Sequence, residues 1–262
     1  MLGFLLPSLL AGQPQAPVLA LAVSPDSRWL ATGSLSGQVK VRDLRTGELV
    51  HAGLAPAGVR GLSFESEFTL KIALSGRLQA SWSFTGPHAV ELDSLRFVAQ
   101  PLGLPGTESD TLSMSENKDL SLVAAVRAIG VLEVRGTDGN LRASVPFAGR
   151  QVVWLGDALL VVSVEGDLVL WSSDLKSPGT PLMTGVTALA SSGQHWVAGT
   201  RFGELWTGER ETSAAPRHWK SHQGTVNAVA WGSPGHFVSA GGDSQVILWD
   251  AATGRKLGNV SP

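Results

Sequence analysis

The stretch Val226-Asn227-Ala228-Val229-Ala230-Trp231-Gly232-Ser233-Pro234-Gly235-His236-Phe237-Val238-Ser239-Ala240-Gly241-Gly242-Asp243-Ser244-Gln245-Val246-Ile247-Leu248-Trp249-Asp250 decides how the chain folds. It holds three short apolar runs rich in β-branched and aromatic residues, separated by clusters of Gly, Ser, Pro and Asp. Runs this short, bounded by turn-forming residues, read as strands and not as helices. Thr253-Gly254 then supplies a turn in which glycine fits a positive φ, and Arg255 to Val260 can form a fourth strand.

The same unit recurs upstream. One apolar column comprises Val23, Phe64, Met114, Trp154, Leu189 and Trp231, with gaps of 41, 50, 40, 35 and 42 residues. Two residues before each lie Leu21, Leu62, Leu112, Val152, Thr187 and Val229, the period-2 signature of a strand. Third strands follow at Gln38 to Arg42, Val131 to Arg135 and Leu168 to Trp171, and glycine turns at Thr46-Gly47, Thr85-Gly86 and Asp138-Gly139. A lone twisted four-stranded sheet cannot cover two apolar faces; blades stacked in a ring bury each face on the next. The expected fold is therefore all-β: a single β-propeller domain over residues 1–262, built of four-stranded antiparallel blades. Six blades account for the repeats, and a seventh, incomplete blade is the alternative.

Composition excludes several chemistries. Charged residues make up 16% of the chain and Lys+Arg 20 against Asp+Glu 22 gives a net charge of −2, which does not suit a strongly basic nucleic-acid surface. The absence of cysteine removes disulfides, thiolate nucleophiles and cysteine-ligated metals. No apolar run is long enough for a membrane-spanning helix. Met1 to Ala11 has the length of a signal-peptide core but no preceding Lys or Arg. Ala11-Gly12 precedes Val18 as Ala52-Gly53 precedes Val59, so the segment reads as structure. Leu5 to Ala11 is favoured over Arg255 to Val260 as the outer strand that closes the last blade. A cytoplasmic location is expected, or a secreted or periplasmic one if residues 1–11 are cleaved.

The last copy carries a family resemblance. His222, Ser233-Pro234-Gly235, Ser239-Ala240-Gly241-Gly242-Asp243 and Trp249-Asp250 resemble the WD-repeat signature, and the first copy keeps Ser24-Pro25-Asp26 with Arg42-Asp43 in place of the closing pair. The resemblance covers nearly the whole chain, but only one repeat is complete. It implies a hydrogen-bonded network of His222, Ser239, Asp243 and Trp249. Indole N–H, hydroxyl, imidazole and carboxylate can form such a chain in that order. Elsewhere Pro14 and Ala55 take the histidine position, Ser36 and Glu165 the aspartate position, and Arg42 and Arg135 the tryptophan position. Trp82 falls one residue late and Trp206 early. Bacterial members of the family stand alone or are attached to kinases; a stand-alone bacterial member is the expectation.

No catalytic or metal-binding motif accompanies this framework. His218 and His222 have i,i+4 spacing, which unites two ligands only on a helix. No nucleophile elbow, phosphate loop or calcium loop occurs. The expected function is thus a non-catalytic scaffold for a protein or peptide, without cofactor, metal, nucleic acid or membrane span. The alternatives are an enzymatic or quinoprotein-like propeller, suggested by Asp43-Leu44-Arg45-Thr46-Gly47 and Asp250-Ala251-Ala252-Thr253-Gly254, and an envelope or periplasmic assembly protein. By resemblance, the partner face comprises Leu35, Ala128, Val164 and Gly242, with Arg127 and Arg201 nearby. Trp219 is the best candidate for an exposed functional aromatic.

Overall fold

The computed structural model describes residues 17–75, 78–84, 100–101, 111–210, 215–232 and 235–260. They form six antiparallel four-stranded sheets arranged as the blades of a propeller. Blade 1 contains β1 (Val18–Val23), β2 (Trp29–Ser34), β3 (Gln38–Asp43) and β4 (Leu49–Leu54). Blade 2 contains β5 (Val59–Ser66), β6 (Thr69–Leu74), β7 (Leu78–Ser83) and β8 (Gln100–Pro101). Blade 3 contains β9 (Thr111–Asn117), β10 (Leu122–Arg127), β11 (Val131–Gly136) and β12 (Leu141–Pro146). Blade 4 contains β13 (Gly149–Leu155), β14 (Ala158–Ser163), β15 (Leu168–Ser172) and β16 (Thr180–Met183). Blade 5 contains β17 (Val186–Ser192), β18 (His195–Thr200), β19 (Glu204–Glu209) and β20 (Arg217–Lys220). Blade 6 contains β21 (Val226–Trp231), β22 (His236–Gly241), β23 (Val246–Asp250) and β24 (Lys256–Val260). Each blade is contiguous in sequence.

The outer place of blade 6 belongs to β24, which pairs with β23 from Val246↔Val260 to Trp249↔Lys256. This corrects the preference for the N-terminal segment: the C-terminal strand reaches β23 through the short Thr253-Gly254 turn. Residues 5–11 lie outside the described residues. Among the described residues the ring is closed by packing, Val18, Leu21 and Leu30 of blade 1 against Val238, Ala240 and Val246 of blade 6.

Alternation along each strand sends successive side chains to opposite neighbouring blades. Trp29, Val39 and Val41 meet Val59, Ile72 and Trp82 between blades 1 and 2. Val126 and Leu132 meet Val152 and Leu159 between blades 3 and 4, and Leu160 and Leu168 meet Leu189 and Trp196 between blades 4 and 5. Val197 and Leu205 meet Phe237, Ile247 and Trp249 between blades 5 and 6. Each large side chain buried this way contributes about 1.5–3 kcal/mol relative to exposure. The seam between blades 2 and 3 differs. By the same alternation blade 2 turns Lys71 and Ser81 towards it, and blade 3 turns Ala125, Glu133 and Arg135.

Candidate functional site

In blade 6, Trp249 Nε1 donates to Ser239 Oγ at 2.8 Å, and Ser239 Oγ lies 2.7 Å from His222 Nε2. His222 Nδ1 sits 2.9 and 3.2 Å from the two Asp243 carboxylate oxygens. The consistent neutral tautomer carries its proton on Nδ1, donates to Asp243, and accepts the serine proton at Nε2. Burial works to raise the Asp243 pKa, but bonds from the Gln223 amide, the His222 ring and the Gln245 amide outweigh it and hold the carboxyl below its ordinary value. Gly241 makes room for the pair: a Cβ there would lie 2.3 Å from His222 Nδ1 and 2.6 Å from Asp243 Oδ1. The four residues thus fasten the β22–β23 turn to the chain entering the blade.

Strand register identifies the equivalents elsewhere. Phe237 pairs with Trp249 as Leu30 with Arg42, Leu70 with Trp82, Val123 with Arg135, Leu159 with Trp171 and Trp196 with Gly208. Trp82 therefore occupies the tryptophan position itself, not one residue beyond it. Counting back from Thr85-Gly86, which lies outside the described residues, displaces it. At Gly208 the indole of Trp196 fills the vacated space, 2.6 Å from where a Cβ would stand. Arg42 and Arg135 donate to Gly47 and Gly139 carbonyl oxygens at 3.2 and 3.1 Å, so two arginines brace the glycine turn.

Blades 1, 4 and 5, which lack the histidine, use a smaller device. At the Gly241 position stand Ser34, Ser163 and Thr200, whose hydroxyls accept the N–H of Gln38, Asp167 and Glu204 at 3.1, 3.0 and 3.2 Å. A hydroxyl four residues before the amide it caps was the sequence signal for this device, and it lies outside the WD-repeat signature residues. Carbonyls of Gly37, Gly130, Gly166 and Gly203 then accept from Ala55, Phe147, Val186 and Ser221, locking each turn to the linker into the next blade. All four glycines have positive φ, and Gly37 (88°) and Gly203 (77°) also approach linker carbonyls too closely for a Cβ.

These turns carry the expected partner positions. Leu35, Ala128, Val164, Arg201 and Gly242 are exposed at equivalent places on one face. Arg127 is not part of that rim, which corrects its assignment. It ends β10 at 4% exposure, 3.4 Å from Glu133 Oε1, and Arg135 grips the same carboxylate through Nε and Nη2 at 3.0 Å. The neighbouring tips Ile129 and Phe202, absent from the expected set, are exposed as well. Arg201 lies over the Phe202 ring, 4.8 Å from its centroid.

Trp219 also departs from expectation. Its place opposite Leu205 on β20 turns the ring inward, where it meets Phe237 and Trp249 at 6.2 and 5.9 Å and covers Gly254. His218 stacks on Trp206 at 4.2 Å. Among the described residues no group of three metal-ligating side chains occurs. The Asp-x-x-Thr-Gly turns cap themselves: Asp43 Oδ1 accepts the Arg45 and Thr46 amides, and Asp250 Oδ1 accepts the Thr253 amide and hydroxyl. Turn closure accounts for that motif without a bound group.

The geometry defines a six-bladed propeller with one fully networked blade. The WD domain, G-beta repeat family matches residues 6–43 and 215–250, reaching through blade 1 to β3 and through blade 6 to β23. Telomerase protein component 1 of Mus musculus is 28% identical over 249 residues, covering 90% of this chain and 9% of that protein. The Rattus norvegicus protein of the same name is 26% identical over 250 residues, again 90% and 9%. The chain therefore spans about 9% of the length of these curated relatives. The β-propeller domain of Myceliophteria thermophila Cps50 (Swd1) superposes with a TM-score of 0.54 at 16% identity, covering 89% of this chain and 83% of that one. The computationally designed Ika8 protein gives a TM-score of 0.50 at 21% identity, covering 93% and 74%. Both structural likenesses concern the fold alone. The chain is a six-bladed β-propeller whose first and last blades match the WD-repeat family.

Proposed function

We propose that this propeller is a non-catalytic scaffold that docks a protein or peptide on the face bearing the second-to-third-strand turns. One observation carries the reading: Leu35, Ile129, Val164 and Phe202 stand 48–71% exposed on turns of blades 1, 3, 4 and 5 that are fixed by hydrogen bonds to the following linker. Exposed apolar side chains on rigid loops supply contact area at little ordering cost, as protein-binding surfaces require. The similarity to a protein named as a component of telomerase supports a role within a larger assembly.

The test is a double variant, Leu35→Glu with Val164→Glu, used in an affinity pull-down from the native cell beside a melting curve. Both side chains are exposed, so the expected result is partner loss with an unchanged melting temperature. Retention of every partner by the folded variant overturns the assignment of this face.

A further inference from the structure

The six inner strands share an irregularity that gives the central channel a defined chemistry. Each breaks register at its second residue: Val18↔Ser34 is followed by Ala20↔Gly33, and the same skip isolates Arg60, Leu112, Arg150, Thr187 and Asn227. A bulge leaves its extra residue outside the ladder and re-aims its side chain. All six bulge residues line one cavity of about 630 Å³, the channel around which the inner strands are arranged. They stand at the end of the strands that adjoins the second-to-third-strand turns, since Val18 pairs with Ser34 next to Leu35.

The ring is chemically lopsided. In blade order it runs Leu19, Arg60, Leu112, Arg150, Thr187, Asn227, so one half alternates cation, leucine, cation and the other half carries no charge. Among the described residues no carboxylate lines the channel, although the chain as a whole has a net charge of −2. Lys71 deeper in the wall is already matched by Glu65 at 2.8 Å. Arg150 spends its donors on backbone carbonyls, those of Ser163 and Thr187 at 3.2 and 3.3 Å and that of Val186. Three of its five N–H groups are thus engaged, no carboxylate among the described residues pairs with its charge, and burial lowers its pKa. Arg60 is exposed and oriented through Nε by Ser75 Oγ at 3.0 Å, leaving its outer nitrogens to fork a carboxylate. Leu112, in the blade between them, is 53% exposed.

We infer that this half of the channel mouth receives an acidic peptide segment in which carboxylates flank an apolar side chain, Arg60 and Arg150 meeting the acids and Leu112 the apolar group. The inference rests on the docking reading above and adds the chemistry of the occupant. Two ring cations on a chain of negative net charge release too few counterions to favour a nucleic-acid backbone.

The experiment uses the full chain and fluorescence anisotropy with labelled synthetic peptides of core Glu-Leu-Glu and Gln-Leu-Gln, with a single-stranded RNA in parallel. The Glu-Leu-Glu peptide should bind about ten- to a hundredfold more tightly than its amide counterpart, the range of a charge-assisted pair. Arg60→Gln should remove most of that preference, Leu112→Ser should weaken both peptides alike, and added salt should erode the difference. Arg60 and Leu112 are exposed, and the melting temperature of each variant checks that it folds. Equal binding of the two peptides, binding of neither, a preference unchanged in Arg60→Gln, or tighter binding of the RNA overturns the inference. If Leu35→Glu with Val164→Glu still abolishes capture of native partners in that event, the docking face stands and only the acidic occupant falls.

Discussion

Trp249 of blade 6 and Trp171 of blade 4 occupy the same register, each on the third strand opposite the same position of the second. Their surroundings differ at the second-strand residue that faces the indole nitrogen. Trp249 donates its indole proton to Ser239, whereas the corresponding residue in blade 4 is Val161, and Trp171 Nε1 is buried without a partner. Both blades keep the ring of a large aromatic in the seam, so packing area fixes the position and hydrogen bonding is added to it. Blade 4 keeps its turn closed by the Ser163 hydroxyl, and blade 6 by the His222–Asp243 pair. The network is therefore one of two interchangeable ways to fasten the same turn.

The comparison can be broken most directly by truncation. Trp249→Ala should destabilise by about 3–5 kcal/mol through its cavity, and by more than Trp171→Ala because Ser239 and His222 lose a partner. Urea unfolding of both variants measures the difference, and equal losses would show that the network adds nothing to packing. Gly241→Ala forces a methyl against the His222–Asp243 pair and should cost about 1–3 kcal/mol. The histidine would have to move with it, so loss of the His222 ring-proton coupling by NMR accompanies the destabilisation if the close contact is real.

A gain is expected in blade 4. Val161→Thr places a hydroxyl below the Trp171 indole and should be about 1 kcal/mol more favourable than the same change in a Trp171→Phe background. A double-mutant cycle without coupling would mean that the two positions are equivalent in register only. The smallest effect concerns acid. Because the folded Asp243 pKa is depressed, its contribution is complete above the ordinary carboxylate range and disappears as pH falls through the lowered value. Asp243→Asn should flatten that acid limb of the stability profile, whereas Trp171→Ala should leave its shape unchanged.

How far the sequence was legible follows from the same registers. The hydrophobic column holds at Val23, Phe64, Trp154 and Trp231, each paired like Trp231 with Phe237. In blades 3 and 5 the corresponding residues are Glu116 and Ser191, two beyond Met114 and Leu189. A two-residue slip keeps a strand's face, so the blades were recognisable despite it. His222, Ser239, Asp243 and Trp249 could be read because each is a distinctive residue type at a fixed offset. Arg127 could not: it counts as a turn residue until Glu133, across the hairpin, draws it inside. Trp219 was misplaced because its edge-strand parity depends on pairing with Leu205. The bulges are invisible without the partner strand, and so was the charge asymmetry of the channel.

Among the described residues the ring closes through side-chain packing, and this has a kinetic consequence. Among the described residues every hydrogen-bonded ladder joins segments adjacent in sequence, and the contacts of greatest sequence separation are those of Val18, Leu21 and Leu30 with Val238, Ala240 and Val246. Blades can consequently form as local units, and the search for the distant end is deferred to a single late event. Loop-closure entropy grows only logarithmically, by about 0.6 kcal/mol per doubling of length, so that event adds little to the equilibrium cost. It does place the seam between blades 6 and 1 last in the order of assembly and first in the order of opening, because it joins the two blades that no linker of the chain connects.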